Sequence, residues 1–421
     1  MTGLTLGVMA RSLKKNERRL PLHPGHFRLI PAALRDQVFI EHGYGNDFGV
    51  DEEQLKPWVG GFRTRDELIK QCDVLLQPKP VLSDIIGMRA GQTLWGWPHC
   101  VQDEKLTQVA IDQSLTLIAF EAMNHWNPDG SFSLHVFHKS NELAGYCSVL
   151  HAMQIAGVTG DYGRRPRAVV IGFGATARGA VAMLNALGVH DVDVLTHREV
   201  AAVAAPVHSV RMVHFDSDTT TQVSCVVTPS GTVPIALFLA GHDIIVNCVL
   251  QNPDAPLTFL TDDDVDTLTP GTLIVDVSCD EGMGFSWARP TVFDNPTFSV
   301  GDGVLYYGVD HSPSYLWNAA TWEISQALLP FIATVVAGPD AWEGNATISR
   351  AIGIRDGVIQ NPAILSFQVG HPNTRTGRWR HSRRSCRHRV SEVCDRSDTD
   401  GDICPAAGTC SEQRRHSALH R

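Results

Sequence analysis

The 421-residue chain has little that could cross a membrane and no Cys-x-x-Cys pair. Its apolar segment Leu328 to Ala337 is much shorter than a bilayer span and contains Pro330. A secretory leader pattern is missing too. The apolar stretch Leu4 to Ala10 comes before Arg11, Lys14 and Lys15, and a leader needs the reverse order. These absences predict a cytoplasmic protein with no membrane partner. Positive charge is in deficit: the formal net charge of −10 argues against a dedicated nucleic-acid binder, whose surface must neutralise phosphates. No internal repeat is present. Six cysteines (Cys72, Cys100, Cys147, Cys225, Cys248, Cys279) are scattered through apolar segments and read as reduced, packed thiols. Cys386, Cys394, Cys404 and Cys410, with His388, lack paired zinc-site spacing, so no metal site is predicted.

What is present is alternation. Leu4 to Met9, Val38 to His42, Asp73 to Gln77, Thr93 to Trp97 and Leu115 to Phe120 read as buried strands. Helical stretches Thr64 to Gln71 and Asp103 to Gln113 lie between them, each begun by a capping residue. Ser140 to Ile155 reads as one long helix connecting two domains. A second alternating block follows: strands at Ala168 to Ile171, Val192 to Leu195, Ile244 to Val249, Thr272 to Val277, Thr297 to Val300 and Val304 to Val309, with a helix at Thr176 to Ala186. Ala319 to Ala337 is an amphipathic return. The pattern predicts an α/β protein of two doubly wound, Rossmann-like domains with a cleft between them. Residues 1–139 and 312–368 form a substrate domain, and 140–311 a nucleotide domain. Residues 369–421, rich in Arg, His, Ser and Thr, have almost no apolar periodicity and are expected to be a disordered tail.

The first strand of the second block runs into Gly172-Phe173-Gly174-Ala175-Thr176-Ala177 and then a helix. That order suits a dinucleotide: Gly172 permits a tight turn, Gly174 admits the phosphates, and Ala177 allows close helix–strand packing. Gly172, Gly174, Ala175, Thr176 and Ala177 are therefore the expected pyrophosphate cradle. The second strand ends at Thr196-His197-Arg198 with no acidic residue to bind a ribose diol. Arg198, with His197 and Thr196, would instead suit a 2′-phosphate, which favours NADP(H) and leaves NAD(H) as the alternative. The plainer reading of Arg198 is a solvated loop cation.

Several ordered blocks carry a resemblance: Asn16-Glu17-Arg18-Arg19-Leu20-Pro21-Leu22, Gly96-Trp97-Pro98-His99, Ala144-Gly145-Tyr146, Asp243 to Asn247, Val249-Leu250-Gln251, Asp276-Val277-Ser278-Cys279-Asp280 and Tyr306-Tyr307-Gly308-Val309. They resemble the alanine dehydrogenase and transhydrogenase superfamily from the N-terminus to about Ile332. Within it they lean toward the N5-(carboxyethyl)ornithine synthase branch. The resemblance implies substrate contacts at Arg19 and Lys79, catalytic roles for His99 and Asp280, and cofactor contacts at Val249 and Leu250. It also implies a homo-oligomer. His311 departs from the pattern, standing where the relatives carry asparagine.

Taken alone, these residues have plainer readings. Arg19 is one cation of a basic run on a solvated face. Lys79 sits between Pro78 and Pro80 as a loop lysine. His99 follows an apolar strand and reads as packed. Asp280 follows a strand end, where doubly wound sheets carry their sites. Asp276 competes with it as a structural, capping or ribose-binding residue. Lys139, Ser140 and Asn141 either present a helix N-terminus to the cleft or reflect simple capping by Ser140.

The chemistry fits the implied roles. A 2-oxo acid carboxylate calls for a planar, bidentate arginine. Imine formation expels water, so a histidine is suited to protonating the oxygen. The expected function is an NADPH-dependent reductive condensation of an amino-acid amine with a 2-oxo acid, ornithine with pyruvate. The alternatives are an alanine dehydrogenase using ammonia and a catalytically silent nucleotide-binding sensor.

Overall fold

Short apolar runs become the strands of two sheets in the computed structural model, which describes residues 3–197, 210–218, 223–251 and 256–369. Arg198 and the four tail cysteines lie outside the described residues. The first sheet has the spatial order Val358–Ile359, Ile352–Arg355, Thr116–Ala119, Thr93–Gly96, Val74–Leu76, Leu6–Val8, Val38–Glu41, Gly61–Arg63. The six strands from Thr116–Ala119 to Gly61–Arg63 are parallel, and the Ile352 to Ile359 hairpin adds an antiparallel edge. Leu6–Val8, Val74–Leu76, Thr93–Gly96 and Thr116–Ala119 are buried at every position, as strands covered on both faces must be. The helix Arg65–Gln71 is fixed by a capping box: Thr64 accepts the Glu67 N–H, and the Glu67 carboxylate accepts the Thr64 N–H.

The second sheet has nine strands, ordered Gly231–Pro234, Val223–Thr228, Arg211–Asp218, Asp191–Thr196, Arg167–Ile171, Ile244–Asn247, Leu273–Asp276, Val304–Tyr307, Thr297–Val300. Its middle is parallel and both edges are antiparallel. The hairpin joining Thr228 to Gly231 was not foreseen. Its turn is Pro229-Ser230, not the Asn-Gly type that announces a tight hairpin. In each sheet the chain leaves a central strand to one side and returns on the other. The switches fall between Leu6–Val8 and Val74–Leu76, and between Arg167–Ile171 and Ile244–Asn247. Ligand crevices form at such points, outside the carboxyl ends of the strands.

The linking helix runs His138–Ala156 and ends on Gly157 in the left-handed conformation. It starts earlier than the sequence suggested. Phe137 occupies the N-cap, and Ser140 is buried inside the first turn, so it does not cap. This helix lies against Ala175–Ala186 so closely that a Cβ on Gly145 would sit 1.9 Å from the Thr176 carbonyl oxygen. Only glycine fits there.

The return stretch is two helices, not one. Trp317–Leu328 and Ile332–Ala337 are joined by the 3-10 turn Leu329–Phe331, where Pro330 cannot supply a helical N–H. Taken together, Ser312–Ala337 is long and apolar enough to cross a membrane by length and composition. Its Ile324, Leu328, Ile332, Val335 and Val336 instead fill the core under the first sheet. Packed apolar clusters cover both faces of each sheet.

Candidate active site

Every candidate side chain hangs from a loop at the carboxyl end of a parallel strand. From the first sheet come the loop after Leu6–Val8 (Lys14, Glu17, Arg19), Lys79 after Val74–Leu76, His99 after Thr93–Gly96 and Glu121 after Thr116–Ala119. The second sheet contributes the glycine loop after Arg167–Ile171, Val249 and Leu250 after Ile244–Asn247, Asp280 after Leu273–Asp276, and Asp310 with His311 after Val304–Tyr307.

Arg19, Lys79, His99 and Asp280 are brought into one electrostatic neighbourhood. Lys79 Nζ lies 3.1 Å from His99 Nε2. Both groups feel Arg19, and Asp280 feels Lys79. Neither basic residue is on a solvated face. Arg19 is 6% exposed, and the Lys79 side chain 15%. Burial lowers the proton affinity of Lys79, partly offset by Asp310. Burial, then the Lys79 charge, pushes His99 well below the ordinary imidazole range, so the ring is neutral. Burial raises the Asp280 carboxyl, and Lys79 pulls it back down.

The expected bidentate edge of Arg19 is already used. Its Nε and Nη2 donate to Glu17 Oε1 and Oε2 at 2.8 and 2.5 Å, and Ser314 donates to the same Oε1 at 2.7 Å. Burial would raise the Glu17 carboxyl, but Arg19 overcomes this and lowers it to about 2. The guanidinium stands over Trp97 at 5.5 Å, and Nη1 is the nitrogen that Glu17 does not engage. The Nε–Nη2 edge of Arg19 is thus taken by Glu17, which leaves the two Nη1 N–H groups and the second Nη2 N–H unengaged by Glu17.

Four further residues complete the arrangement. Lys14 Nζ pairs with Asp310 Oδ2 at 2.7 Å, and Lys79 lies 3.8 Å from the same oxygen. His311 bridges Asp310 Oδ1 at 2.7 Å and the Lys15 carbonyl at 3.1 Å. Burial opposes charge on Asp310, yet the His311 hydrogen bond and the two ammonium groups hold its carboxyl far below the usual range. Glu121 accepts the His99 backbone N–H at 2.9 Å, where His99 has φ of +49°. Glu121 is exposed to solvent, yet the protein packed around its carboxyl raises it to about 7. The strand-end rule that flagged Asp280 would have flagged Glu121. The Tyr306 to Val309 block stopped one residue short of Asp310.

The nucleotide cradle has the right shape. Gly172 has φ of +101°, and a Cβ there would press on the Cys248 carbonyl at 3.3 Å. Gly174 is the N-cap of Ala175–Ala186 and, having no side chain, gives that helix end no side-chain cap. A Cβ on Gly174 would meet nothing within 4 Å, and the first N–H groups of a helix suit a phosphate. Leu250, on the loop after Ile244–Asn247, is 92% exposed. Thr196 is buried, and the ring centroid of His197 lies 3.8 Å from that of Phe215; burial lowers the proton affinity of His197, and a hydrogen bond to the Phe215 backbone partly offsets this. Neither supplies a cation for a 2′-phosphate. Lys139 pairs with Glu142 at 2.6 Å and lines a separate cavity of about 590 Å³ with Tyr146, Arg178 and Glu323.

Two family models divide the chain between them. The alanine dehydrogenase/PNT N-terminal domain matches residues 7–144, and the C-terminal domain matches residues 143–362. The chain belongs to the alanine dehydrogenase/PNT family. That membership makes it an oxidoreductase of this family. An alanine dehydrogenase of Mycobacterium tuberculosis is 24% identical over 380 residues, covering 86% of this chain and 96% of its own. One from Halomonas elongata is 26% identical over 373 residues, covering 85% and 95%. Among solved structures, an L-alanine dehydrogenase superposes with a TM-score of 0.67 at 20% identity, over 86% of this chain and 99% of that one. A transhydrogenase from Sinorhizobium meliloti gives 0.60 at 19%, over 85% and 99%. These likenesses establish the two-sheet α/β fold for this member of the alanine dehydrogenase/PNT family.

Proposed function

We propose that this family member reductively joins an amino-acid amine to a 2-oxo acid, with ornithine and pyruvate as the pair and NADP(H) as the preferred cofactor. One observation carries the reading. Three cations, Lys14, Arg19 and Lys79, converge in one cluster with Glu17 and Asp310, and burial works against the charge on Lys79. An anion placed beside Lys79 and Arg19 offsets that cost of burial. The carboxylate of a 2-oxo acid is that anion, met by Arg19 Nη1 and Lys79.

The remaining roles follow from position. His99, neutral and facing the Lys79 ammonium, relays a proton to the carbonyl oxygen as water departs. Asp280 stands on the nucleotide side of the cleft, where it orients the reacting carbon. Gly172 to Ala177 hold the pyrophosphate at a helix N-terminus, and Val249 and Leu250 cover the rest. The bound dinucleotide supplies the hydride.

A second reading takes ammonia as the amine. It is favoured by the relatives named alanine dehydrogenase. The test is pyruvate-dependent NADPH oxidation with ornithine, lysine and ammonia in turn. Turnover with ornithine supports the condensation, and turnover with ammonia alone replaces it by alanine dehydrogenase activity. Tight dinucleotide binding with no turnover on any amine would make the protein a sensor.

A further inference from the structure

Asp276 is the last residue of its strand and 0% exposed. It does not reach the cleft. Its Oδ1 accepts the Cys279 backbone N–H at 2.9 Å and the Asn247 amide at 3.0 Å. Its Oδ2 accepts the Tyr306 hydroxyl at 2.8 Å. Asn247 is its partner in register on the neighbouring parallel strand and is equally buried. The other end of that amide, Oδ1, accepts the Val249 N–H at 3.1 Å. Ser278 closes the circuit by donating to the Val249 carbonyl at 2.6 Å.

These bonds join two loops that leave adjacent strands. One carries Val249 and Leu250, and the other carries Asp280. The second loop needs holding, because Cys279 has φ of +43°, a conformation unfavourable for a residue with a Cβ. The N–H at that strained position is the one bound by Asp276.

The structure assigns Asn247, Asp276 and Tyr306 a joint positioning role: they hold the Val249 loop and the Asp280 loop in one fixed relation, so that a dinucleotide seated on the first is aimed at the reacting carbon beside the second. The assignment rests on the proposed reading of those two loops as cofactor and catalytic loops. None of the three residues touches substrate. A buried network with its donors and acceptors matched is rigid, and small misplacements of reacting groups are costly.

The test uses the full chain and the variants Asn247→Ala, Ser278→Ala and Tyr306→Phe. Deuterium uptake is followed in peptides covering 248–251 and 277–281. Alongside it run a direct NADPH fluorescence titration and steady-state turnover. In Asn247→Ala, exchange in both loops should accelerate by about tenfold or more while the sheet strands hold. NADPH affinity and kcat should each fall by about tenfold or more, with the pyruvate KM nearly unchanged. Ser278→Ala, at a half-exposed position, should give a milder version of the same pattern. Tyr306→Phe removes a bond only on the Asp280 side. It should lower kcat by about tenfold while NADPH affinity stays within about twofold. Wild-type exchange rates in both loops of Asn247→Ala and Ser278→Ala would overturn the assignment. Faster exchange with unchanged NADPH affinity and kcat would leave the network standing and retire the reading of the two loops instead.

Discussion

The Lys79 ammonium and the His99 Nε2 face each other at 3.1 Å. An ammonium only donates, so Nε2 is the acceptor and the ring proton sits on Nδ1. A positive charge at that distance disfavours a second proton on the ring. Replacing Lys79 by Met should therefore raise the His99 pKa, even though burial remains its larger depressing influence. Turnover should fall by about a hundredfold or more. An NMR titration of the His99 ring, together with the pH–rate profile, checks both. An unchanged titration would mean that the pair does not communicate.

Arg19→Lys tests the carboxylate contact. A lysine cannot hold Glu17 with a fork and still offer a third nitrogen. The pyruvate KM should rise by about tenfold or more while NADPH affinity is unchanged. Equal losses in both would point to general damage to the fold.

Glu17 sets an acid limit on stability. Its folded pKa of about 2 lies below the ordinary 4.5. A depressed carboxylate contributes stability above its unfolded pKa and loses it as pH falls through the folded value. Its contribution should be complete above about pH 4.5 and decline toward pH 2. Glu17→Gln removes the hydrogen-bonded counterion of the buried Arg19 and leaves only the more distant Asp310, at a cost of up to about 3–5 kcal/mol near neutrality. Its unfolding free energy should then vary less with pH across that acid window. Chemical denaturation between pH 2.5 and 7 measures both effects.

Glu121→Ala should free the His99 backbone from its left-handed conformation and lower kcat by about tenfold or more. Glu121→Gln keeps an oxygen for the His99 N–H and should recover much of that loss. If the two variants behave alike, the hydrogen bond at 2.9 Å is incidental.

Arg198→Ala should raise the KM for NADPH far more than that for NADH, since only the former carries the 2′-phosphate. Thr196 is buried and His197 is packed against Phe215, so the proposed 2′-phosphate contact rests on Arg198. Equal changes for the two cofactors would end the NADP(H) preference.

Much of this molecule could be read in its sequence. Strands such as Val74–Leu76 and Thr116–Ala119 are apolar at nearly every position because both faces are covered, and parallel sheets leave that signature. The glycine loop was readable because only glycine accepts the turn at Gly172. The antiparallel edges were not. Val223–Thr228 and Gly231–Pro234 mix polar with apolar residues and turn through Pro229-Ser230. Long-range pairing was equally hidden: Lys14 and Asp310 are 296 positions apart. The local partner of Arg19, Glu17 two residues away, was not read from the sequence. Residue type announced an anion site there, but only geometry could say which anion came first.

The loop bearing Lys14 and Lys15 is moored across the cleft at Asp310, Asp294 and the His311 ring. These ties fix a loop of the first sheet to loops of the second. Two are ion pairs, and the Lys15–Asp294 pair is largely in water, so added salt weakens them. Raising ionic strength should therefore loosen the Lys14–Lys15 loop from the opposite sheet, seen as faster deuterium uptake in that loop.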